Sequence, residues 1–124
     1  MAEKKILVVD DEEPIRKVFT AALTHKGYRV FAAASAEAAL EIIEIEVIPV
    51  MFLDLSLPGM SGIELCKIIL EKHPETIAYA VTGYASAYKS SECKTVGFEG
   101  YFSKPLPLQT LFKAASDAFE KYSS

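Results

Sequence analysis

Apolar positions follow two alternating rhythms along the chain, and the alternation predicts strand and helix in turn, five times over. Ile6-Leu7-Val8-Val9 is apolar at every position, the pattern of a strand buried on both faces. From Glu13 and Pro14 the period changes. Ile15, Val18, Phe19, Ala22 and Leu23 fall at i, i+3, i+4, i+7 and i+8, one face of a first helix. Proline suits the first turn, acids there complement the helix dipole, and Gly27 marks the end. Residues 28–32 predict strand two, with Arg29 marking an edge-like position. Ser35 is placed to cap helix two, whose inner face carries Ala36, Ala39, Leu40 and Ile43. Strand three covers 49–54, an apolar run ending in Asp54. Helix three, about 61–72, carries Ile63, Cys66, Ile69 and Leu70, and Pro74 stops it. Residues 77–81 predict strand four. Residues 86–96 form a weak helical pattern, diluted by serines, Lys89, Glu92 and Lys94. Gly100, Tyr101 and Phe102 form strand five. Helix five, about 107–121, places Leu108, Leu111, Phe112, Ala115 and Phe119 on one face.

Strands alternating with helices imply a parallel sheet covered on both sides, an α/β fold. Right-handed crossovers restrict its topology. Five strands suit a doubly wound, flavodoxin-like sheet of order 2-1-3-4-5, in which strands one and three meet at the switch point. With 124 residues the chain suits one domain with a real core. The net charge of −4 comes without a basic stripe, which argues against nucleic-acid binding by this domain. No apolar stretch reaches the ~20 residues of a membrane helix. The start, MAEKK, lacks the apolar region of a signal peptide. Cys66 and Cys93 match no metal or redox spacing and read as buried or half-buried thiols. The expected location is the cytoplasm. His25 and His73 lie near helix C-termini and read as surface histidines favoured by the helix dipole.

The proposed sheet order gathers the residues just past four strands at one edge. They are Asp10 and Asp11 after strand one, Asp54 after strand three, Thr82 after strand four and Lys104 after strand five. Each has an ordinary explanation taken singly. Asp10 and Asp11 could cap helix one, Asp54 and Thr82 could start turns, and Lys104 could be a solvated charge. Together these explanations require separate coincidences on one edge. Clustered carboxylates are tolerable when protonated or holding a cation. Magnesium prefers oxygen ligands, often a few carboxylates plus phosphate. Carboxylates also serve as nucleophiles, through acyl phosphates.

VVDDEEP, MFLDLSLPGMSG, VTGYAS and YFSKP, in this order and at these intervals, resemble the receiver domain of two-component response regulators. The similarity covers essentially the whole chain, 1–124, as a single receiver domain. The strand order 2-1-3-4-5 is itself known from receivers, so the two readings are not independent. The resemblance implies that Asp54 accepts a phosphoryl group from a sensor histidine kinase or phosphotransfer protein, with Mg²⁺ as cofactor. Asp11 would bind the metal directly, Asp10 mainly through water, and Asp54 and the backbone carbonyl of Ser56 would complete the protein ligands. Lys104 would contact a phosphoryl oxygen, and Thr82 would move to hydrogen-bond another while Tyr101 rotates inward behind it. Gly83 would leave the site open, and Ser56 and Tyr84 would tune the phosphoryl lifetime. The Lys104-Pro105 bond would be cis. Helix four, strand five and helix five would form the readout surface for a downstream protein or a fused output domain, with Tyr84, Tyr88, Tyr101 and Leu106 as contacts. The resemblance also admits a homodimer on phosphorylation through that face.

Such a chain is a signalling module that assists its own phosphorylation, not an enzyme in the ordinary sense. Three other readings compete. An aspartate-nucleophile, Mg²⁺-dependent phosphatase uses similar groups, but places its nucleophile after strand one in a DxD pattern, where this chain has Asp10-Asp11-Glu12. A flavin carrier shares the sheet order, but the acids 10–13 would repel its phosphate. A degenerate receiver would act only as a binding module, yet every matched site residue is present. The start at Met1 suggests an N-terminus, of either a stand-alone receiver or the leading domain of a longer regulator.

Overall fold

In the computed structural model, which describes residues 3–83 and 90–123, five parallel strands form one sheet in the order β2-β1-β3-β4-β5. The strands are β1 (Lys5–Val9), β2 (Arg29–Ala33), β3 (Val50–Asp54), β4 (Ile77–Thr82) and β5 (Gly100–Ser103). The helices between and after them are α1 (Glu13–His25), α2 (Ala36–Ile45), α3 (Gly62–Lys72), α4 (Ser90–Val96) and α5 (Leu108–Ser123). The α/β doubly wound fold expected from the sequence is the observed one. The 84–89 stretch, with Tyr84, Tyr88 and the start of the weak helix, lies outside the described residues.

The continuous apolar runs work because the sheet is buried on both sides. Successive side chains point to opposite faces. Ile6, Val8, Val50, Phe52, Ile77, Tyr79 and Val81 join Phe19 and Leu23 of α1 and Leu111, Ala115 and Phe119 of α5 in one core. Leu7, Val9, Met51, Leu53, Ala78 and Ala80 join α2, α3 and α4 in the other. β2 is an outer strand, and Arg29 on it is exposed. Ser35 and Ser61 cap α2 and α3, their hydroxyls accepting from the Ala38 and Glu64 N–H groups at 3.1 and 3.2 Å. Tyr79 fastens β4 to α5: its hydroxyl donates to the Ala114 carbonyl at 3.1 Å, and its ring stacks on Phe52 at 5.2 Å. Gly100 leaves room for that ring, since a Cβ there would stand 2.9 Å from Tyr79 Cδ1.

Some positions differ from the periodic reading. Val18 is 51% exposed and Leu108 41%, although both fall on the apolar stripes of their helices. Val18 lies at the margin of the α1 stripe, and Leu108 is the first residue of α5. Leu65, fully buried on α3, is instead part of the core. β2 begins at Arg29, one residue later than expected, because the Tyr28 N–H donates to the Leu23 carbonyl of α1 at 3.2 Å instead of joining the ladder, while its ring stacks on Phe119 at 5.4 Å. Among the described residues, no helix is long and apolar enough to cross a membrane.

Both cysteines are free and buried, 0% and 1% exposed. Burial, with the nearby Cys93 thiol adding to it, pushes the Cys66 thiol up to about 12. Burial also raises Cys93, helped by Glu92. The thiolate is the reactive form. At pH 8 the native protein is therefore expected to leave a disulfide reagent such as Ellman's reagent unreacted over minutes, and the urea-unfolded chain to react at both thiols. Rapid native reaction would contradict this burial.

Candidate functional site

The carboxyl ends of β1, β3, β4 and β5 carry the site. β1 and β3 are neighbours, with Val9 paired to Leu53, so the next residues, Asp10 and Asp54, emerge side by side. Both are buried, 3% exposed. Asp54 is paired to Val81 on β4, which puts Thr82, fully buried, one step further along. Lys104 follows Ser103, the partner of Thr82. Its backbone N–H donates to the Thr82 carbonyl at 2.9 Å, and the Lys104-Pro105 bond is cis. From there the side chain passes Gly83, where a Cβ would sit 3.7 Å from Lys104 Cδ.

The ammonium of Lys104 ends between the two buried carboxylates, 2.8 Å from Asp10 Oδ2 and 3.0 Å from Asp54 Oδ2. Glu12 Oε1 stands 3.8 Å away. The other carboxylate oxygens are held locally. Asp10 Oδ1 accepts from the Glu12 N–H at 2.9 Å, and Asp54 Oδ1 accepts from the Ser56 N–H at 2.9 Å. Arg16 on α1 donates to the Asp10 carbonyl at 2.8 Å and steadies the same loop.

One cation thus serves two buried anions. Burial raises the Asp10 carboxyl above its ordinary value, with the Asp54 charge adding to this; hydrogen bonds from Lys104 and Glu12 pull the other way. Burial pulls the Lys104 ammonium down, but its bonds to Asp10 and Asp54 more than offset this and leave it raised. The two groups act on stability with the same sign. Each folded value lies above the unfolded one, so each contribution is full below the unfolded value and is lost as pH rises through the folded one.

The acidic loop offers oxygen atoms of the kind that could hold a metal ion. Asp10, Asp11 and Glu12 offer oxygens that all lie within 4.8 Å of one another, Asp10 buried and the others exposed. An all-oxygen donor set with an open rim fits a hard divalent cation that keeps waters. Glu12 was not singled out as a ligand in the sequence. Asp54 stands outside this group of three and is joined to it through Lys104. Tyr101 on β5 is half-buried and packs against the core beside α4; burial raises its hydroxyl, with Cys93 adding to this. An apolar groove of about 510 Å³ opens beside Lys104, lined by Pro14, Ile15, Val18, Phe19, Pro105 and Leu106. The half-exposed Val18 belongs to it.

Residues 6–116 match the family model of the response regulator receiver domain. Sporulation initiation phosphotransferase F of Bacillus subtilis is 32% identical over 98% of this chain and 95% of its own length. Regulatory protein VanR of Enterococcus faecium is 35% identical over 96% of this chain, which spans only 52% of VanR. A CheY-like receiver domain protein from Methanospirillum hungatei superposes with a TM-score of 0.94 at 31% identity, covering 98% of both chains. The beryllofluoride-activated NtrC4 receiver domain dimer superposes at 0.90 and 29% identity, over 96% of this chain and 98% of that one.

Removing the shared cation would leave two buried carboxylates facing each other. Lys104→Met is expected to lower the unfolding free energy at neutral pH by about 3 kcal/mol or more, read from urea denaturation. The loss should shrink as pH falls through the raised Asp10 value, because neutral Asp10 no longer repels Asp54. An unchanged midpoint at neutral pH would contradict the pairing.

Proposed function

The chain belongs to the family of response regulator receiver domains, signalling modules switched by phosphorylation, and on that premise we propose that Asp54 is its phosphoacceptor. The observation that carries this is the position of Lys104 Nζ, 3.0 Å from Asp54 Oδ2 and 2.8 Å from Asp10 Oδ2. A buried carboxylate at a strand end, with a fixed cation at one oxygen, is placed to form a bond to phosphorus. As that bond forms, the bond from phosphorus to the donor breaks, and the donor leaves with the electron pair. Phosphoryl transfer of this kind rests mainly on positioning and charge neutralisation. Lys104 supplies part of both.

Asp10, Asp11, Asp54 and the backbone carbonyl of Ser56 would hold Mg²⁺, with Glu12 at the rim. Bound there, the ion would neutralise charge on the phosphoryl oxygens. The Ser56 N–H keeps Asp54 Oδ1 oriented. Thr82, at the adjoining strand end, would turn its hydroxyl to a phosphoryl oxygen. The space it leaves would be filled by Tyr101, a half-buried ring beside the α4 core. This is a two-state element biased by a local charge. Its readout surface would be α4, β5 and α5, for a downstream protein or a fused output domain.

The donor we propose is a sensor histidine kinase or phosphotransfer protein in the cytoplasm. The apolar groove beside Lys104 favours a protein donor, since a small phosphate ester has no use for such a surface. Residues 1–124 would serve as one receiver domain, with self-catalysed phosphorylation and dephosphorylation but no separate substrate.

Acetyl phosphate with Mg²⁺ is expected to add one phosphoryl group to the protein, seen in its intact mass, and Asp54→Asn to abolish the addition. Labelling of that variant at the native rate would refute the assignment. Beryllofluoride with Mg²⁺ is expected to convert monomer to dimer through the α4-β5-α5 face in sedimentation; an unchanged mass would refute the dimer.

A further inference from the structure

A side chain has no room at Gly62, the first residue of α3. A Cβ built there would overlap the Asp54 carbonyl oxygen and stand 2.9 Å from both the Asp54 carbonyl carbon and Leu55 Cα. The obstacle is backbone, which cannot swing aside as a side chain can. The Gly62 N–H also donates to the Leu55 carbonyl at 3.2 Å, closing the loop from Leu55 to Ser61 at its base. From the other side, the Leu55 N–H donates to the Val81 carbonyl of β4 at 3.3 Å. The Asp54-Leu55 peptide is therefore held between β4 and the start of α3.

We propose that Gly62 is a positioning residue for phosphoryl transfer: its missing side chain lets α3 seat directly on the Asp54 backbone, and that seat aims the Asp54 carboxylate. The inference rests on the reading of Asp54 as phosphoacceptor. A methyl group at 62 must push α3 outward or rotate the Asp54-Leu55 peptide. Either movement redirects the Cα–Cβ bond of Asp54, while Lys104 stays anchored by Asp10 and by its own backbone bond to Thr82. The Asp54 oxygen then meets the phosphorus of acetyl phosphate off line. Bond formation to phosphorus, with departure of acetate carrying its electron pair, slows accordingly.

The same loop provides its own control. Gly59 has φ +76, a conformation that strains a residue with a side chain, yet among the described residues a Cβ there would touch only Glu37 Oε2, at 3.6 Å. Alanine at 59 strains the loop without reaching Asp54.

Wild type, Gly62→Ala, Gly59→Ala and Asp54→Asn are treated with acetyl phosphate and Mg²⁺ and followed by intact mass, with thermal melts by circular dichroism. Both glycine variants are expected to melt lower. For Gly62→Ala the limiting rate at saturating acetyl phosphate is expected to fall about ten- to a hundredfold, with the half-saturating concentration unchanged. Gly59→Ala should keep its rate within about twofold. A folded Gly62→Ala with the native rate, or an equal fall in Gly59→Ala, overturns the positioning role. If Gly62→Ala unfolds, trimethylamine N-oxide is added and the rate taken per folded molecule. Failure to fold even then assigns the glycine to the fold as a whole and overturns the proposal. Undiminished labelling of Asp54→Asn refutes the acceptor reading itself, and the positioning role with it.

Discussion

The Lys104 ammonium draws together the ends of three strands. It reaches from the end of β5, past the end of β4, to Asp54 on β3 and Asp10 just past β1. Adjacent strands lie about 4.8 Å apart, so the side chain must extend across the sheet edge. It passes Gly83, and the backbone bond to Thr82 sets its starting point. The buried carboxylates depend on it. Without a cation between them, two anions shielded from water would repel each other. With it they remain one short of neutral, before Asp11 and Glu12 at the rim are counted. That residual negative charge is what gives the site an attraction for a further cation.

Local hydrogen bonds keep this arrangement from collapsing. Each buried carboxylate gives one oxygen to a backbone N–H two residues on, Glu12 for Asp10 and Ser56 for Asp54. Arg16 holds the Asp10 carbonyl. The carboxylates are thus oriented by their own loops, and only their second oxygens face the shared lysine. The two cores behind the sheet keep the strand ends in register. Tyr79 links β4 to α5 through one buried hydroxyl, so α5 is tied to the strand that ends in Thr82.

Much of this was legible in the sequence. The all-apolar runs at 6–9 and 50–53 declared strands buried on both faces, and Ser35 sits where a helix cap belongs. Sheet order then brought Asp10, Asp54, Thr82 and Lys104 to one edge, and the structure places all four there. Asp11 is at the same edge but exposed. Other features depend on three-dimensional approach. Periodicity put Val18 and Leu108 on apolar stripes, but not which margin of a stripe the neighbouring elements leave uncovered. Glu12 and Arg16 were not singled out, because their contacts are to a loop whose path the spacing does not give. Nothing in the spacing marks Gly62, since the Asp54 backbone that fills its side-chain space is close only in the fold.

The central claim is that one particular carboxylate receives the phosphoryl group. Borohydride reduction of the phosphorylated protein converts an aspartyl phosphate to homoserine, and peptide mass mapping then locates the converted residue. The account predicts homoserine at position 54 alone. Homoserine at Asp10 or Asp11, or a phosphoryl group that resists reduction, would contradict it.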